Sequence, residues 1–125
     1  MLMVRVKRVY EPPQTDDGFR VLVDRLWPRG VSKGRAQLAL WLREAAPSDA
    51  LRKWFAHDPR KWPEFQRRYL AELKGQAEVL RRLRQLVRTH HVVTLVYAAS
   101  DTHRNNAVVL AGLLNRNQSG GSRTR

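Results

Sequence analysis

Cysteine is absent from the 125 residues, so disulfides, thiolate zinc sites and thiol nucleophiles are excluded and a cytoplasmic location is expected. Long apolar runs are absent as well. The longest, such as Val92 to Ala99, fall far short of the roughly 18 to 20 residues of a membrane span, and the N-terminus lacks a signal-peptide core, so no membrane partner is expected. Acids are scarce: 11 Asp and Glu stand against 24 Lys and Arg, for a formal charge of +13 and a pI near 11.5. Such a charge attracts polyanions, nucleic acid among them. It also has a compositional reading, because 19 of the 24 basic residues are arginine, as GC-rich codon usage produces. Also missing are a Walker phosphate loop, a dinucleotide fingerprint, a nucleophile elbow and a zinc-protease helix, so no cofactor and no metal are expected. The nearest approach to a phosphate loop, Gly30 to Gly34, spaces its glycines too closely and has Arg35-Ala36 where Lys-Ser/Thr is required, and it reads as a turn.

What is present is one domain's worth of alternating strands and helices, enough to bury a single core. Met3 to Tyr10 alternates Val4, Val6 and Val9 with basic residues and predicts a strand with one solvated side. Glu11 to Gly18 is a loop, short for a helical crossover, so either the first two strands are antiparallel neighbours or the loop crosses in an unusual way. Val21 to Val23 forms the second strand and Leu38 to Leu42 a third. Val92 to Tyr97, apolar and β-branched, reads as a central strand covered on both faces. Ser32 caps a short turn through Gln37, Ser48 caps a helix over 49–56, and Asp58-Pro59 starts a longer helix with Trp62, Phe65, Tyr69 and Leu73 on its buried side. Beyond Gly75 a second helix with Val79, Leu80, Leu83, Leu86 and Val87 on its buried side completes an antiparallel hairpin, and a last helix runs from Arg104 to Leu114. The expected architecture is α/β: a single three-layer-like domain over 1–116 with a mostly parallel sheet of about four strands, a helical hairpin and a C-terminal helix. A disordered polar tail is expected over 117–125.

The stretch Phe19 to Gly30 runs a strand into a tip carrying Asp24, Arg25, Trp27 and Arg29, where an open α/β sheet forms its ligand crevice. Two guanidiniums beside an indole suit an anionic, planar ligand. The competing reading makes Trp27 a plug at the end of the core and the arginines ordinary surface or partners of Asp24 and Glu44. The turn after the last strand is the second candidate. Tyr97 ends that strand, and Ser100, Asp101, His103 and Asn105 address a ligand or simply cap the helix that follows. Candidate acid–base groups are Asp24, Asp101, His57 and His103. His90 and His91 are adjacent and point apart on an extended chain, which argues against a shared metal. Arg67, Arg68, Lys74, Arg81, Arg82, Arg84 and Arg88 give the hairpin a basic face that suits nucleic acid, or that solubility alone explains.

Four segments, KRVYEPP, DDGFRVLVDRLWPRGVSK, LWLREAAPSDALRKWF with HDP, and TLVYAASDTHRNNAVVL, together cover most of the chain. In these the sequence resembles the small bacterial YeaO-like proteins, domain-of-unknown-function family 488. The resemblance implies an α/β domain, brings no established activity, and supports Arg25, Trp27, Arg29, Tyr97 and Asn105 as motif positions. Some members are labelled MarR-type regulators, a label that suits a mostly helical winged-helix dimer better than a chain with apolar strands at both ends of its core. Members often have lysine where this chain has Ser100 and histidine where it has Asn106. More distant relatives carry a Cys-His pair near Asn105 and Asn106, whose thiol chemistry this chain cannot perform.

Three functions follow as expectations. The first is a binding domain for a phosphorylated or nucleotide-like ligand, with Arg25 and Arg29 on phosphate, Trp27 and Tyr97 flanking the ring, Asp101 and Asn105 reading hydroxyls or edges, and Ser100 among the ligand-binding residues. The second is an enzyme acting on such a ligand by acid–base chemistry. The third is a nucleic-acid-binding or regulatory protein using the helical face. The first requires that the strand tip and the turn before the final helix converge on one hollow.

Overall fold

Four short β-rich segments pair into one sheet in the computed structural model, which describes residues 2–123 and the side chains as far as Arg116. They are β1 (Met3–Arg8), β2 (Phe19–Leu22), β3 (Leu40–Trp41) and β4 (Val92–Tyr97), in the order β1-β4-β2-β3, and each neighbouring pair is parallel. The central place belongs to β4, whose run of apolar residues suits a strand covered on both faces. Val93, Leu95 and Val96 are fully buried. The antiparallel alternative for the first two strands is thereby corrected: β1 and β2 run the same way on either side of β4, and the short segment 9–18 makes the crossing.

That crossing is possible without a helix because polar side chains on one face of the sheet hold it down. Asp17, in the 3-10 turn Thr15–Asp17, receives Arg20 at 2.7 Å and Lys7 at 3.1 Å. Its carbonyl accepts the Thr94 hydroxyl at 2.6 Å, and Arg20 also donates to the carbonyls of Ala36 and Gln37. At Gly18 (φ 65°) a Cβ would lie 2.3 Å from the Val92 carbonyl oxygen, so the chain turns into β2 where only glycine fits.

Register divides the side chains between two faces. Val4, Phe19, Val21, Val93 and Leu95 share the main core with the helices, while Leu22 and Val96 meet Val9, Ala36, Trp27 and Trp41 on the other side. The main face carries α2 (Asp49–Phe55), α3 (Trp62–Lys74), α4 (Ala77–His90) and α5 (Asn106–Arg123). The opposite layer is thinner, made of segment 9–18 and the one-turn α1 (Lys33–Ala36). Ser32 and Ser48 cap where expected, accepting the amides of Arg35 and Leu51, whereas Asp58, accepting the amide of Arg60, caps a 3-10 turn over Pro59–Lys61 and α3 begins only at Trp62. Phe55 stacks on Phe65 at 4.3 Å between α2 and α3.

The last helix starts two residues later than its apolar pattern suggested, because Asp101 to Asn105 are used in the turn before it, and its backbone continues through Arg123. Of the polar tail expected over 117–125, Thr124 and Arg125 lie outside the described residues, as do the side chains of 117–123. Among the described residues no helix is long and apolar enough to cross a membrane.

Replacing Arg20 with methionine leaves buried Asp17 with Lys7 alone and is expected to cost about 3 kcal/mol in urea unfolding. Burial by itself would raise the Asp17 carboxyl, but bonds from the Gln14 amide, Lys7 and Arg20 outweigh it and hold the group below the ordinary 3.8. The unfolded chain therefore takes up this proton first. The stabilisation is complete at neutral pH and is lost as pH falls from about 4 through the lower folded value. Unfolding free energy measured from pH 2 to 7 should show this acid limb, and Asp17→Asn should flatten it.

Candidate functional site

Because the strands are parallel, the carboxyl ends of β1, β2 and β4 reach the same edge, and the segments leaving them enclose a cleft of about 1080 Å³. Ligand pockets typically span about 300 to 1,000 Å³. The tip of β2 supplies Asp24, Arg25, Trp27 and Arg29, and the turn before α5 supplies Ser100 and Asn105. The convergence required by the first expectation is therefore present. The opposite wall comes from the end of α2, with Arg52, Lys53 and His57, and from Phe65 of α3.

The cations of the cleft are fixed in an unusual way. Arg8 donates from Nε to the Ala99 carbonyl at 2.9 Å, and Arg25 donates from Nε to the Pro47 carbonyl at 3.2 Å. Carbonyls orient these guanidiniums without neutralising them, so positive charge remains available for a ligand. The Arg8 guanidinium also lies 4.7 Å from the centre of the Tyr10 ring. Arg29 is exposed, and its backbone carbonyl accepts the Tyr10 hydroxyl at 2.9 Å. Trp27 does two things at once: its indole N–H donates to the Val31 carbonyl at 2.6 Å and its ring meets Trp41 edge-on at 5.3 Å, closing the smaller core, while it also lines the cleft.

Asp24 is the only carboxylate among the described residues lining the cleft. One of its oxygens accepts the Ala98 amide at 2.9 Å and the other accepts Asn106 Nδ2 at 3.2 Å. Burial pushes the carboxyl above the ordinary range, and the Ala98 amide, Asn106 and the charge of His57 offset only part of that. His57 follows Ala56 in the left-handed region (φ 57° after 47°), which turns the chain off the end of α2 and sets the imidazole at the cleft wall.

Other candidates lie elsewhere. Tyr97, 2% exposed, is packed in the main core and does not reach the cleft, and burial raises its hydroxyl above its ordinary value. Asp101 accepts the amides of His103 and Arg104 and pairs with the Arg104 guanidinium at 3.0 Å, contacts that hold its carboxyl below the ordinary range, so its contacts are those of a cap. His103 is exposed beside Thr102, away from the lining. Asn105 borders the cleft but spends both ends of its amide on the fold, donating to the Asp101 carbonyl at 2.9 Å and accepting the Val108 amide at 3.0 Å. Among the described residues no group of three acidic or imidazole side chains is placed to hold a metal.

Sequence reasoning missed Arg8, Arg52, Lys53 and Asn106. The rule that places ligands beyond strand ends, applied to β1 as well as β2, would have found Arg8. Nothing local marks the α2 residues, whose position depends on how that helix packs. On the hairpin, Arg67 and Arg68 both bind Glu64, at 2.6 and 2.7 Å, and hold its carboxyl down to about 2. Arg81 pairs with Glu78 and Arg88 donates to Gln85. Lys74, Arg82 and Arg84 stand outside these pairs, Lys74 and Arg82 exposed and Arg84 half-buried.

A family model described as the inactive DUF488-N3 subclade matches residues 3–122. Uncharacterized proteins of Mycobacterium tuberculosis and Mycobacterium bovis are each 47% identical over 112 residues, covering 90% of this chain and 93% of theirs. The uncharacterized protein YeaO of Escherichia coli is 41% identical over 111 residues, covering 89% of this chain and 96% of its own. No solved structure matches significantly.

Since Asn105 is 2% exposed and caps an 18-residue helix, Asn105→Ala should cost about 1 to 2 kcal/mol, read as a lowered thermal midpoint.

Proposed function

The chain belongs to the DUF488 family, in the subclade described as inactive, and we propose that it is a binding domain whose strand-tip cleft holds a phosphorylated or nucleotide-like anion without converting it. The observation that carries this reading is the pair Arg8 and Arg25, aimed by main-chain carbonyls and, among the described residues, without a carboxylate at ion-pair distance, beside a cleft of ligand size. Each charge-assisted bond they make to a phosphate contributes about 1.5 to 3 kcal/mol. Arg29, Arg52 and Lys53 add to the field, and Trp27 and Tyr10 offer ring faces at the rim. A cytoplasmic location fits a chain without cysteine.

One observation favours a second reading, catalysis on the same ligand. Asp24, with its carboxyl raised by burial, and His57 line one cleft and supply the two kinds of group that acid–base chemistry needs. The subclade's description speaks for binding over turnover. Nucleic-acid binding by the hairpin has less support, because Arg67, Arg68 and Arg81 are already engaged by Glu64 and Glu78.

Calorimetric titration of the full chain with nucleoside monophosphates and sugar phosphates tests the first reading. Micromolar to submillimolar binding is expected, weakened about tenfold or more in Arg8→Ala. If no phosphate ester binds, or Arg8→Ala binds like the unaltered chain, the cleft is not a phosphate site. Ligand consumed during the titration would instead favour the enzyme.

A further inference from the structure

Two carboxylates flank β2, Asp17 just before it and Asp24 just after it, and the fold treats them in opposite ways. Asp17 is matched by Lys7 and Arg20, both within ion-pair distance. Asp24 has no such match: among the described residues no lysine or arginine lies within 4.0 Å of it, and its partners are two neutral donors, the Ala98 amide and Asn106 Nδ2. Asn106 is itself anchored by donating to the Val23 carbonyl at 2.9 Å, so the carboxylate is held in a single orientation at the root of α5. A carboxylate removed from water with no lysine or arginine beside it is costly, and burial does push this one upward, with the Ala98 amide, Asn106 and the charge of His57 offsetting only part. The bonds to Ala98 and Asn106 tie the end of β2 to the end of β4 and the start of α5, and they leave the negative charge of the group without a lysine or arginine partner.

Each carboxylate oxygen has room for about two donors, and the protein supplies one to each. The remaining acceptor capacity sits on a group that lines the cleft, and Arg8, Arg25 and Arg29 line the same cleft without pairing with it. The site is therefore bipolar, and its ligand must be bipolar too. Resting on the phosphate-binding reading of the cleft, we propose that Asp24 is its specificity residue, accepting a hydroxyl or ring N–H of the ligand, so that the site takes phosphate esters of polyols or nucleosides and rejects anions lacking a donor. Bare phosphate or pyrophosphate would bring its charge without a hydroxyl or ring N–H set apart from the phosphate, so the same group could not meet both the arginines and Asp24. An ester whose phosphate lies among the arginines and whose hydroxyl meets Asp24 satisfies both ends, and a site built around a donor discriminates strongly against analogues without one.

Ribose 5-phosphate and pentyl phosphate carry the same phosphate on chains of the same length, with and without hydroxyls, and calorimetry on the full chain at pH 7.5 separates them. The unaltered protein should bind ribose 5-phosphate tenfold or more tightly than pentyl phosphate. Asp24→Ala should reduce the ratio to within about threefold while leaving pentyl phosphate binding equal or tighter, since a repulsive charge has gone. Should that variant fail to fold, the carboxyl carbon-13 resonance of Asp24 in the unaltered protein serves instead, and it should move with ribose 5-phosphate and stay still with pentyl phosphate. Equal affinities, a preference that survives Asp24→Ala, or an unmoved carboxyl resonance would overturn the role of Asp24 and leave phosphate binding standing. Binding of neither ester would overturn phosphate binding itself, and the Asp24 proposal with it.

Discussion

The ion-paired cluster of Asp17, Arg20 and Lys7 is the interaction on which the arrangement depends, because it lets a short, helix-free segment return across the sheet from the end of β1 to the start of β2. Parallel strands usually need a crossover of a dozen residues or more, commonly a helix that brings its own apolar face. Here the crossing segment has little apolar surface to bury, and charge-assisted bonds across the sheet take the place of packing. With β1 and β2 both parallel to β4, three strand ends and the segments leaving them meet on one side. The cleft is a consequence of that topology rather than of any one motif.

The wall facing those tips is held by a second set of polar contacts. Glu72 of α3 accepts both the amide and the hydroxyl of Ser48, at 2.8 and 2.6 Å, and Tyr69 donates its hydroxyl to the Ala45 carbonyl, so the start of α2 is tied to α3. Phe55 at the other end of α2 stacks on Phe65. Fixed at both ends, α2 carries Arg52, Lys53 and the left-handed residues Ala56 and His57 to the cleft. The carbonyls of Ala46 and Pro47, just before this helix, in turn orient Arg25. The positive rim and the scaffold are thus joined through main-chain carbonyls, which fix direction and leave charge unspent.

Charged groups in the scaffold and in the cleft are met by different partners. Carboxylates that serve the fold are met in two ways: Asp17, Asp101 and Glu64 by lysine or arginine, and Glu72 by the amide and hydroxyl of Ser48. Where arginines face the cleft, at Arg8 and Arg25, carbonyls meet them, and where a carboxylate faces it, at Asp24, neutral donors do. The overall charge of +13 says little by itself; the placement of a few unneutralised groups says more.

The sequence by itself determined the element types and the polarity of the site. Hydropathy period separates β4 from the amphipathic α3 and α4, cap residues start α1 and α2 where Ser32 and Ser48 stand, and the residues after β2 put guanidiniums and an indole at a strand tip, because all of these are local or near-local physics. The tertiary structure decided which candidates share a space. Tyr97 and Asp24 both lie at strand ends, yet strand alternation turns the tyrosine into the core, while Asp24 is turned toward Asn106 and the cleft. Arg8 and the α2 residues join the site only because β4 inserts between β1 and β2 and because α2 packs on α3. Such long-range neighbours leave no periodic trace in the chain, since their contacts form between segments whose separation no local spacing records.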